Sequence, residues 1–235
     1  MPVRIEIFLV SKKNNSVPDQ RMFNKSLAGN APNRFYLGYN IAGDLNVLVH
    51  GSSPEQIFHT SSSDITLHTV SLERTPSSGF GRLFSGGVQV GNSISIDPNT
   101  YNFNSTYRFL IGAYNDATDN GEINHFNGDI PEIIMYDSFL SDSLRNLVEA
   151  YLRFKYAPPV DLGPDITISY GYCDTTLNAQ KDWFKSYLWN TGDTTPSIQF
   201  NASGTYSVTV TYVFGYSSTD EIVVIFNQPN VVNSY

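Results

Sequence analysis

The sequence predicts an all-β protein built from two β-sandwich modules in tandem, and three observations support this prediction. Aromatic residues make up 14% of the 235 residues and charged residues only 15%, a balance that favours an ordered, β-rich chain over a disordered one. Apolar runs of strand length recur between turns rich in Gly and Asn. A change of composition at Pro158-Pro159 separates a first set of these runs from a second.

The first module, residues 1–157, contains the strands expected of a two-sheet sandwich. In chain order the predicted strands are 5–10, 21–24, 35–39, 45–50, 65–74, two short strands within 79–92 around Gly86-Gly87, 107–113 and 130–136. In 65–74, apolar residues fall on both faces, as is typical of a strand in the middle of a sandwich.

One amphipathic helix is predicted between Ser141 and Pro158. Ser141 is a candidate N-cap, because its hydroxyl can accept a hydrogen bond from a free backbone N–H of the first turn. Apolar residues then recur at the spacing of one helical face, at Leu144, Leu147, Val148 and Tyr151, the pattern of an amphipathic helix. Pro158 and Pro159 end the helix, since proline cannot continue its hydrogen bonding.

The segment 126–156, FNGDIPEIIMYDSFLSDSLRNLVEAYLRFKY, resembles the close of a concanavalin A-like (laminin G-like, pentraxin-like) jelly-roll domain. The matching residues are Phe126, Gly128, Asp129, Ile130, Glu132, Tyr136, Leu140, Ser141, Asp142, Tyr151, Leu152, Lys155 and Tyr156. The strings LFSGGVQVG and YRFLIGA resemble a hairpin and a strand of the same family. The resemblance implies a jelly roll over residues 1–157 that lacks its first strands, and hence a fragment of a longer chain.

The second module, residues 158–227, has the pattern of an immunoglobulin-like sandwich. Its predicted strands are 166–169, 175–179, 187–189, 197–200, 205–211 and 221–226, at intervals of roughly 8–12 residues. The strings VDLGPD, YLWNTGDTTPSI and SGTYSVTV resemble an Ig/PKD-like module of large surface proteins of Bacteroidetes. The resemblance implies that Trp189 is the core tryptophan and that Tyr206 lies near the penultimate strand. Residues 228–235 are expected to be a linker.

Charge and cysteine content exclude several classes of function. A formal net charge of −8 argues against nucleic acids and anionic membranes as partners, but it is compatible with cations and with neutral sugars. The single cysteine, Cys173, excludes an intramolecular disulfide and a cysteine-based zinc cluster. No apolar run approaches the length of a membrane span, so we expect no membrane insertion.

An acidic loop over residues 115–122, NDATDNGE, is predicted to bind calcium. The candidate ligands are Asp116, Asp119, Asn120 and Glu122, whose side-chain oxygens are the hard donors that Ca²⁺ prefers. The loop is only partly EF-hand-like, because its twelfth position is Asn127 where a bidentate glutamate is wanted. An ordinary solvated hairpin loop is the alternative.

Tyrosines are the candidate sugar-stacking residues, chiefly Tyr36, Tyr39 and Tyr114, with Tyr101 and Tyr107 as further candidates. An exposed aromatic ring can stack on the apolar face of a sugar, whereas a ring in a strand can equally well pack in the core. Both readings stay open from the sequence alone.

Catalysis is not expected. A retaining glycosidase needs two carboxyl groups about 5–5.5 Å apart. The nearest set is Asp129, Glu132 and Asp137, but residues 129 and 132 differ in strand parity and are expected to face opposite sides.

Taken together, the sequence predicts a non-enzymatic adhesion or glycan-binding module of a larger secreted protein, with the Ig-like module as a spacer. By resemblance, the parent protein would lie at a bacterial cell surface, be exported by the type IX secretion system and serve gliding or surface attachment. Its partners would be a glycan or surface protein and the secretion machinery. The alternatives are a purely structural spacer or assembly element, including a virion decoration protein, and an accessory domain of a glycoside hydrolase.

Overall fold

A computed structural model describes residues 3–14, 19–25, 34–50, 54–59, 65–74, 79–95, 108–115, 121–169 and 175–227. The chain divides into two compact units, unit 1 (Met1–Leu152) and unit 2 (Arg153–Tyr235), whereas we predict a boundary after residue 157. Strands make up nearly all of the described regular structure, so the predicted all-β class is confirmed. Among the described residues, no helix combines the length and the apolar character needed to cross a membrane.

The elements that begin in unit 1 are, in chain order, β1 (Val3–Lys13), β2 (Gln20–Lys25), β3 (Arg34–Tyr39), β4 (Leu45–His50), β5 (Pro54–His59), β6 (Ile65–Arg74), β7 (Gly79–Ser85), β8 (Val88–Ser95), β9 (Phe109–Ile111), β10 (Tyr114–Asn115), β11 (Glu122–Ile123), β12 (Gly128–Tyr136) and α1 (Asp142–Tyr156).

Two five-stranded antiparallel sheets form the sandwich of unit 1. The first sheet has the order β12-β1-β6-β7-β8 and the second sheet the order β5-β4-β3-β2-β9. Side chains alternate between the two faces of each strand, and the apolar faces of both sheets meet in one core. Its buried members are Ile7, Leu9, Met22, Phe23, Phe35, Leu37, Tyr39, Leu45, Val47, Val49, Val70 and Leu83.

A β-bulge at Pro131 interrupts strand β12, where the register against β1 shifts. Ile130 and Ile133 both pack against the core, although residues three apart on a regular strand point to opposite sides. The extra residue of a bulge restores the same side, and proline is tolerated there because it has no N–H to donate. The expectation that Asp129 and Glu132 face opposite sides is therefore wrong, since both point away from the core.

Helix α1 turns a charged face towards the first sheet. Glu149 is fully buried, and its Oε1 accepts a hydrogen bond from Thr69 Oγ1 at 2.7 Å. Arg145 is 6% exposed, with its guanidinium carbon 4.1 Å from the ring centroid of Phe84. These contacts lie on the outer face of the first sheet, on the side opposite the core.

The predicted helix cap is confirmed, and apolar residues of the helix face solvent. Ser141 Oγ accepts a hydrogen bond from the backbone N–H of Leu144 at 3.3 Å. Leu144, Leu147 and Tyr151 are 51%, 66% and 52% exposed. The spacing of apolar residues identifies a stripe correctly, but the sheet holds the opposite side of the helix through Arg145 and Glu149.

Unit 2 contains β13 (Ile166–Ile168), β14 (Thr175–Asn178), β15 (Phe184–Trp189), β16 (Ser197–Phe200), β17 (Gly204–Tyr212) and β18 (Ser217–Phe226). One sheet has the order β13-β18-β17-β15, and a second pairs β14 with β16. All the pairings are antiparallel except that between β13 and β18, which is parallel.

The two residues singled out in unit 2 lie where the sequence predicts. Trp189 is 1% exposed in the core, and its indole N–H donates to the carbonyl of Thr195 at 2.8 Å. Tyr206 lies in the penultimate strand, β17, and its hydroxyl donates to the carbonyl of Ala202 at 3.0 Å. The hydroxyl thus ties the strand back to the turn that precedes it.

Candidate functional site

The second sheet carries a polar face on the side away from the core. On β2, β3 and β4 the residues that alternate with core residues are Arg21, Asn24, Tyr36, Gly38, Asn46 and Leu48. All of them are buried, with Asn24 at 0% and Asn46 at 2% exposure. Burying polar side chains is costly unless they find partners, so a continuous polar layer in this place indicates a specific arrangement.

Arg21 is the centre of this polar face. Its guanidinium carbon lies 4.0 Å from the ring centroid of Tyr36 and 5.3 Å from that of Tyr114, and the two rings meet edge to face at 6.2 Å. Gly38 makes room for this side chain, because a Cβ there would lie 3.0 Å from Arg21 Cδ and 2.1 Å from the carbonyl oxygen of Gln20. The cation is thus held against two aromatic rings, an arrangement worth up to about 2 kcal/mol when desolvated.

The same guanidinium pairs with Asp19, whose carboxylate joins two backbone positions of positive φ. Arg21 Nη1 donates to the carbonyl of Tyr39 at 3.0 Å, and Nη2 lies 2.5 Å from Asp19 Oδ1. The other carboxylate oxygen of Asp19 accepts a hydrogen bond from Asn124 Nδ2 at 2.5 Å. Asp19 and Asn124 have φ values of 59° and 51°, and no other non-glycine residue in the described ranges has positive φ. Such strain collects at binding and catalytic sites, at a cost of about 1–3 kcal/mol per residue.

One donor of the cluster is left over. Arg21 Nε is buried and has no hydrogen-bond partner within the part of the chain that the structure describes. Next to it, His125 forms a parallel bridge with Arg21, whose backbone N–H donates to the carbonyl of Asn124 at 3.0 Å. Asn124 is half-buried and His125 is exposed, so solvent reaches the edge of the polar face at these two residues.

The acidic loop joins the polar face through β10 and β11, which pair at its base. Glu122 Oε1 lies 2.9 Å from Arg108 Nη1, with both side chains partly exposed. Asp116, Asp119 and Asn120 lie outside the described residues. Within the described ranges, no group of three or more His, Cys, Asp or Glu residues could hold a metal. Calcium binding by this loop stays a prediction.

The three tyrosines predicted to stack on sugars are buried. Tyr36, Tyr39 and Tyr114 are 6%, 1% and 5% exposed, so of the two alternatives that the sequence leaves open, these rings are packed and not exposed. Tyr39 belongs to the core, where its ring stacks on Phe126 at 6.4 Å and lies beneath the ammonium of Lys13. Tyr36 and Tyr114 instead meet at Arg21 in the polar face. Their contact with a ligand stays a prediction.

Sequence reasoning misses Arg21 and Asn46. Each is a polar residue at an alternate position of a strand whose other face is apolar, and such residues are usually exposed to solvent. The available signal was the arginine within the short strand that begins Gln20-Arg21-Met22-Phe23, but burial of the polar face depends on segments distant in sequence. Tyr101 and Tyr107 lie outside the described residues.

No protein-family model and no curated protein matches the chain. Among solved structures, it is similar to the CBM40 of Ruminococcus gnavus IT-sialidase, with a TM-score of 0.50, 16% identity, and coverage of 63% of this chain and 83% of that one. It is also similar to a leech intramolecular trans-sialidase complexed with 2,7-anhydro-Neu5Ac, with a TM-score of 0.50, 18% identity, and coverage of 89% of this chain but 29% of that one. A SAP-like pentraxin from Limulus polyphemus matches with a TM-score of 0.44, 15% identity, and coverage of 63% of this chain and 70% of that one. The similarity to the first two structures confirms that unit 1 has a jelly-roll β-sandwich fold.

Proposed function

We propose that unit 1 is a non-catalytic glycan-binding module of a larger secreted protein, with unit 2 as a spacer. The observation that carries the proposal is the buried polar face centred on Arg21, which lies on the side of the second sheet away from the core. Ligand sites of this kind combine a preformed surface with a few well-placed polar groups. The similarity in fold to the CBM40, a carbohydrate-binding module of a sialidase, supports the same reading.

We place the ligand at the rim of the polar face, defined as Asp19, Arg108, Glu122, Asn124 and His125. Arg21 itself is 6% exposed, so its role is to position the tyrosine rings and the strained junction below the rim. The rim residues offer charged donors and acceptors, the groups that hydrogen-bond sugar hydroxyls and carboxylates. Tyr36 and Tyr114 would then support the bound sugar from below, whereas Tyr39 would act only through the core.

The rim does not have the arrangement of a glycosidase. Its two carboxylates are each engaged by an arginine, Asp19 by Arg21 and Glu122 by Arg108. Asp129 and Glu132 share a face of β12, but β12 belongs to the first sheet and they lie away from the rim. Hydrolysis with retention needs two carboxyl groups about 5–5.5 Å apart on either side of the scissile bond. Because Asp19 and Glu122 are each held in an ion pair and Asp129 and Glu132 lie on the other sheet, we propose no catalytic pair at the rim.

We propose that the parent protein is displayed at a bacterial cell surface after type IX secretion and serves attachment or gliding. The basis is the resemblance of unit 2 to Ig/PKD-like modules. The alternative is that the parent protein is a glycoside hydrolase that carries this chain as an accessory domain. The rim would bind glycan in either parent protein.

Glycan binding is tested by screening the chain on an array of neutral and sialic acid-containing glycans, followed by calorimetry with the strongest ligand. We expect Arg108→Gln to weaken binding about tenfold, since a charge-assisted hydrogen bond contributes about 1.5–3 kcal/mol, with an unchanged melting temperature. Arg4→Gln is the matched control, because Arg4 is an exposed arginine of β1 away from the rim. Absence of binding to every glycan, or equal binding by wild type and Arg108→Gln, would overturn the proposal.

Calcium binding is tested by thermal melts in calcium and in EDTA. A ligand that binds only the folded state raises stability by mass action, by about 2.7 kcal/mol at a hundredfold excess over Kd. We expect calcium to raise the melting temperature of the wild type, but not of Asp116→Ala or Asp119→Ala. Asp137→Ala, which removes an exposed carboxylate elsewhere in unit 1, should respond like the wild type. If calcium leaves the wild-type melt unchanged, the loop is ordinary surface.

A further inference from the structure

Helix α1 presents an apolar stripe to solvent, formed by Leu144, Leu147, Tyr151 and Phe154. These side chains are 51%, 66%, 52% and 67% exposed. Their spacing of three, four and three residues repeats the a and d positions of a coiled-coil seam. An apolar helical stripe of this length facing water marks an interaction surface.

The stripe cannot be buried by turning the helix towards its own sheet. Glu149 and Arg145 occupy the opposite side of the helix and are fixed there by Thr69 and the ring of Phe84. Rotation would pull a fully buried carboxylate off its hydroxyl partner, and breaking buried polar contacts is costly. The exposed orientation of Leu144, Leu147 and Tyr151 is therefore fixed by contacts within unit 1.

We propose that the stripe is the interface of a homodimer in which two α1 helices pair antiparallel about a two-fold axis. A two-fold interface must be self-complementary, and the order of side chains along the stripe meets this condition. Leu144 would face Phe154 of the second copy, and Leu147 would face Tyr151 of the second copy. Each of these two contacts thus places a leucine against an aromatic ring, and the two-fold axis generates a second copy of each.

Charge favours the antiparallel arrangement over the parallel one. The first turn of α1 carries Asp142, and the last turn carries Arg153 and Lys155. Asp142 already pairs with Arg145 of its own helix at 2.8 Å, so the basic last turn and the helix dipole decide the arrangement. Antiparallel pairing opposes the two helix dipoles and keeps the basic last turns of the two copies apart, whereas parallel pairing would bring those last turns together.

The size of the stripe indicates a weak dimer. Four side chains from each of two copies, each half to two-thirds exposed, would remove an area on the order of 1,000 Å² from water, near the lower bound for a specific interface. We therefore expect dissociation on dilution. Dimerisation does not depend on glycan binding, but it would pair two glycan sites and raise avidity on a surface.

Sedimentation equilibrium of the full chain over a range of concentrations tests the proposal. We expect a monomer–dimer equilibrium, weakened about tenfold or more by either Leu147→Lys or Tyr151→Glu. Asn146→Lys is the matched control, because Asn146 is exposed on α1 outside the stripe. It should dimerise like the wild type, and all variants should keep the wild-type melting temperature.

A mixture of the two disruptive variants identifies the geometry. In an antiparallel pair, the L147K chain and the Y151E chain would form a heterodimer with one lysine–glutamate contact and one intact leucine–tyrosine contact. We expect the mixture to regain dimer while each variant alone does not. A wild-type chain that stays monomeric at every concentration would overturn the proposal and assign the stripe to a different protein. A dimer unaffected by both substitutions would overturn it as well.

Discussion

Arg21→Met is expected to lower the free energy of unfolding of unit 1 by about 2–4 kcal/mol. The substitution removes a buried guanidinium from the rings of Tyr36 and Tyr114 and from the carbonyl of Tyr39. It also removes the cation paired with Asp19. The side chain of Asp19 is 40% exposed, so the ion pair adds little, and most of the loss comes from the buried ring and carbonyl contacts.

The measurement can be assigned to unit 1 because both tryptophans, Trp183 and Trp189, lie in unit 2. Urea unfolding followed by far-ultraviolet circular dichroism reports the whole chain, and tryptophan emission reports unit 2. Arg21→Met should lower the midpoint of the first signal and leave the second in place. Arg21→Lys should recover only part of the loss, because an ammonium lacks the planar fork of donors. A loss below about 1 kcal/mol would show that the cluster does not stabilise the fold.

Trp189→Ala is expected to destabilise unit 2 by about 3–5 kcal/mol. The ring is 1% exposed, so its removal leaves a cavity between the strands, and the carbonyl of Thr195 loses its indole donor. Trp183 remains as the fluorescent reporter of urea unfolding. Trp189→Phe keeps much of the volume and should cost less, which separates the cavity from the lost hydrogen bond. Equal losses in the two variants would contradict this account of the core.

Strands could be predicted from the sequence wherever alternation of side chains was unbroken. The predicted bounds of β4 and β6 match the structure, and the hairpin of β7 and β8 forms around Gly86-Gly87. Strand β5 (Pro54–His59) was missed, because Pro54-Glu55-Gln56 interrupts the apolar pattern that identifies a strand. The bulge at Pro131 was also missed, since a one-residue change of parity leaves no mark in composition.

The candidate site was harder to predict because its burial depends on long-range contacts. The sequence shows Arg21 in a strand, but Asp19 and Asn124 meet beside it across 105 positions of the chain. The orientation of α1 also depends on a long-range contact. Its apolar spacing is visible locally, whereas the bond that sets its rotation joins Thr69 to Glu149, 80 positions apart. Local periodicity in the sequence identifies which residues share a face of a helix or strand. Residues distant in sequence determine what that face packs against.

The parallel pairing of β13 with β18 has a mechanical consequence. Ile166–Ile168 runs in the same direction as Val224–Phe226, and the Asn227 N–H extends the ladder by donating to the Ile168 carbonyl at 3.0 Å. Tension along the chain pulls β13 and β18 in opposite directions along their length. The slanted hydrogen bonds between them are then loaded in shear and must break together, not one after another as in unzipping. Unit 2 therefore resists stretching at the point where the chain enters and leaves it, a property suited to a link that transmits force.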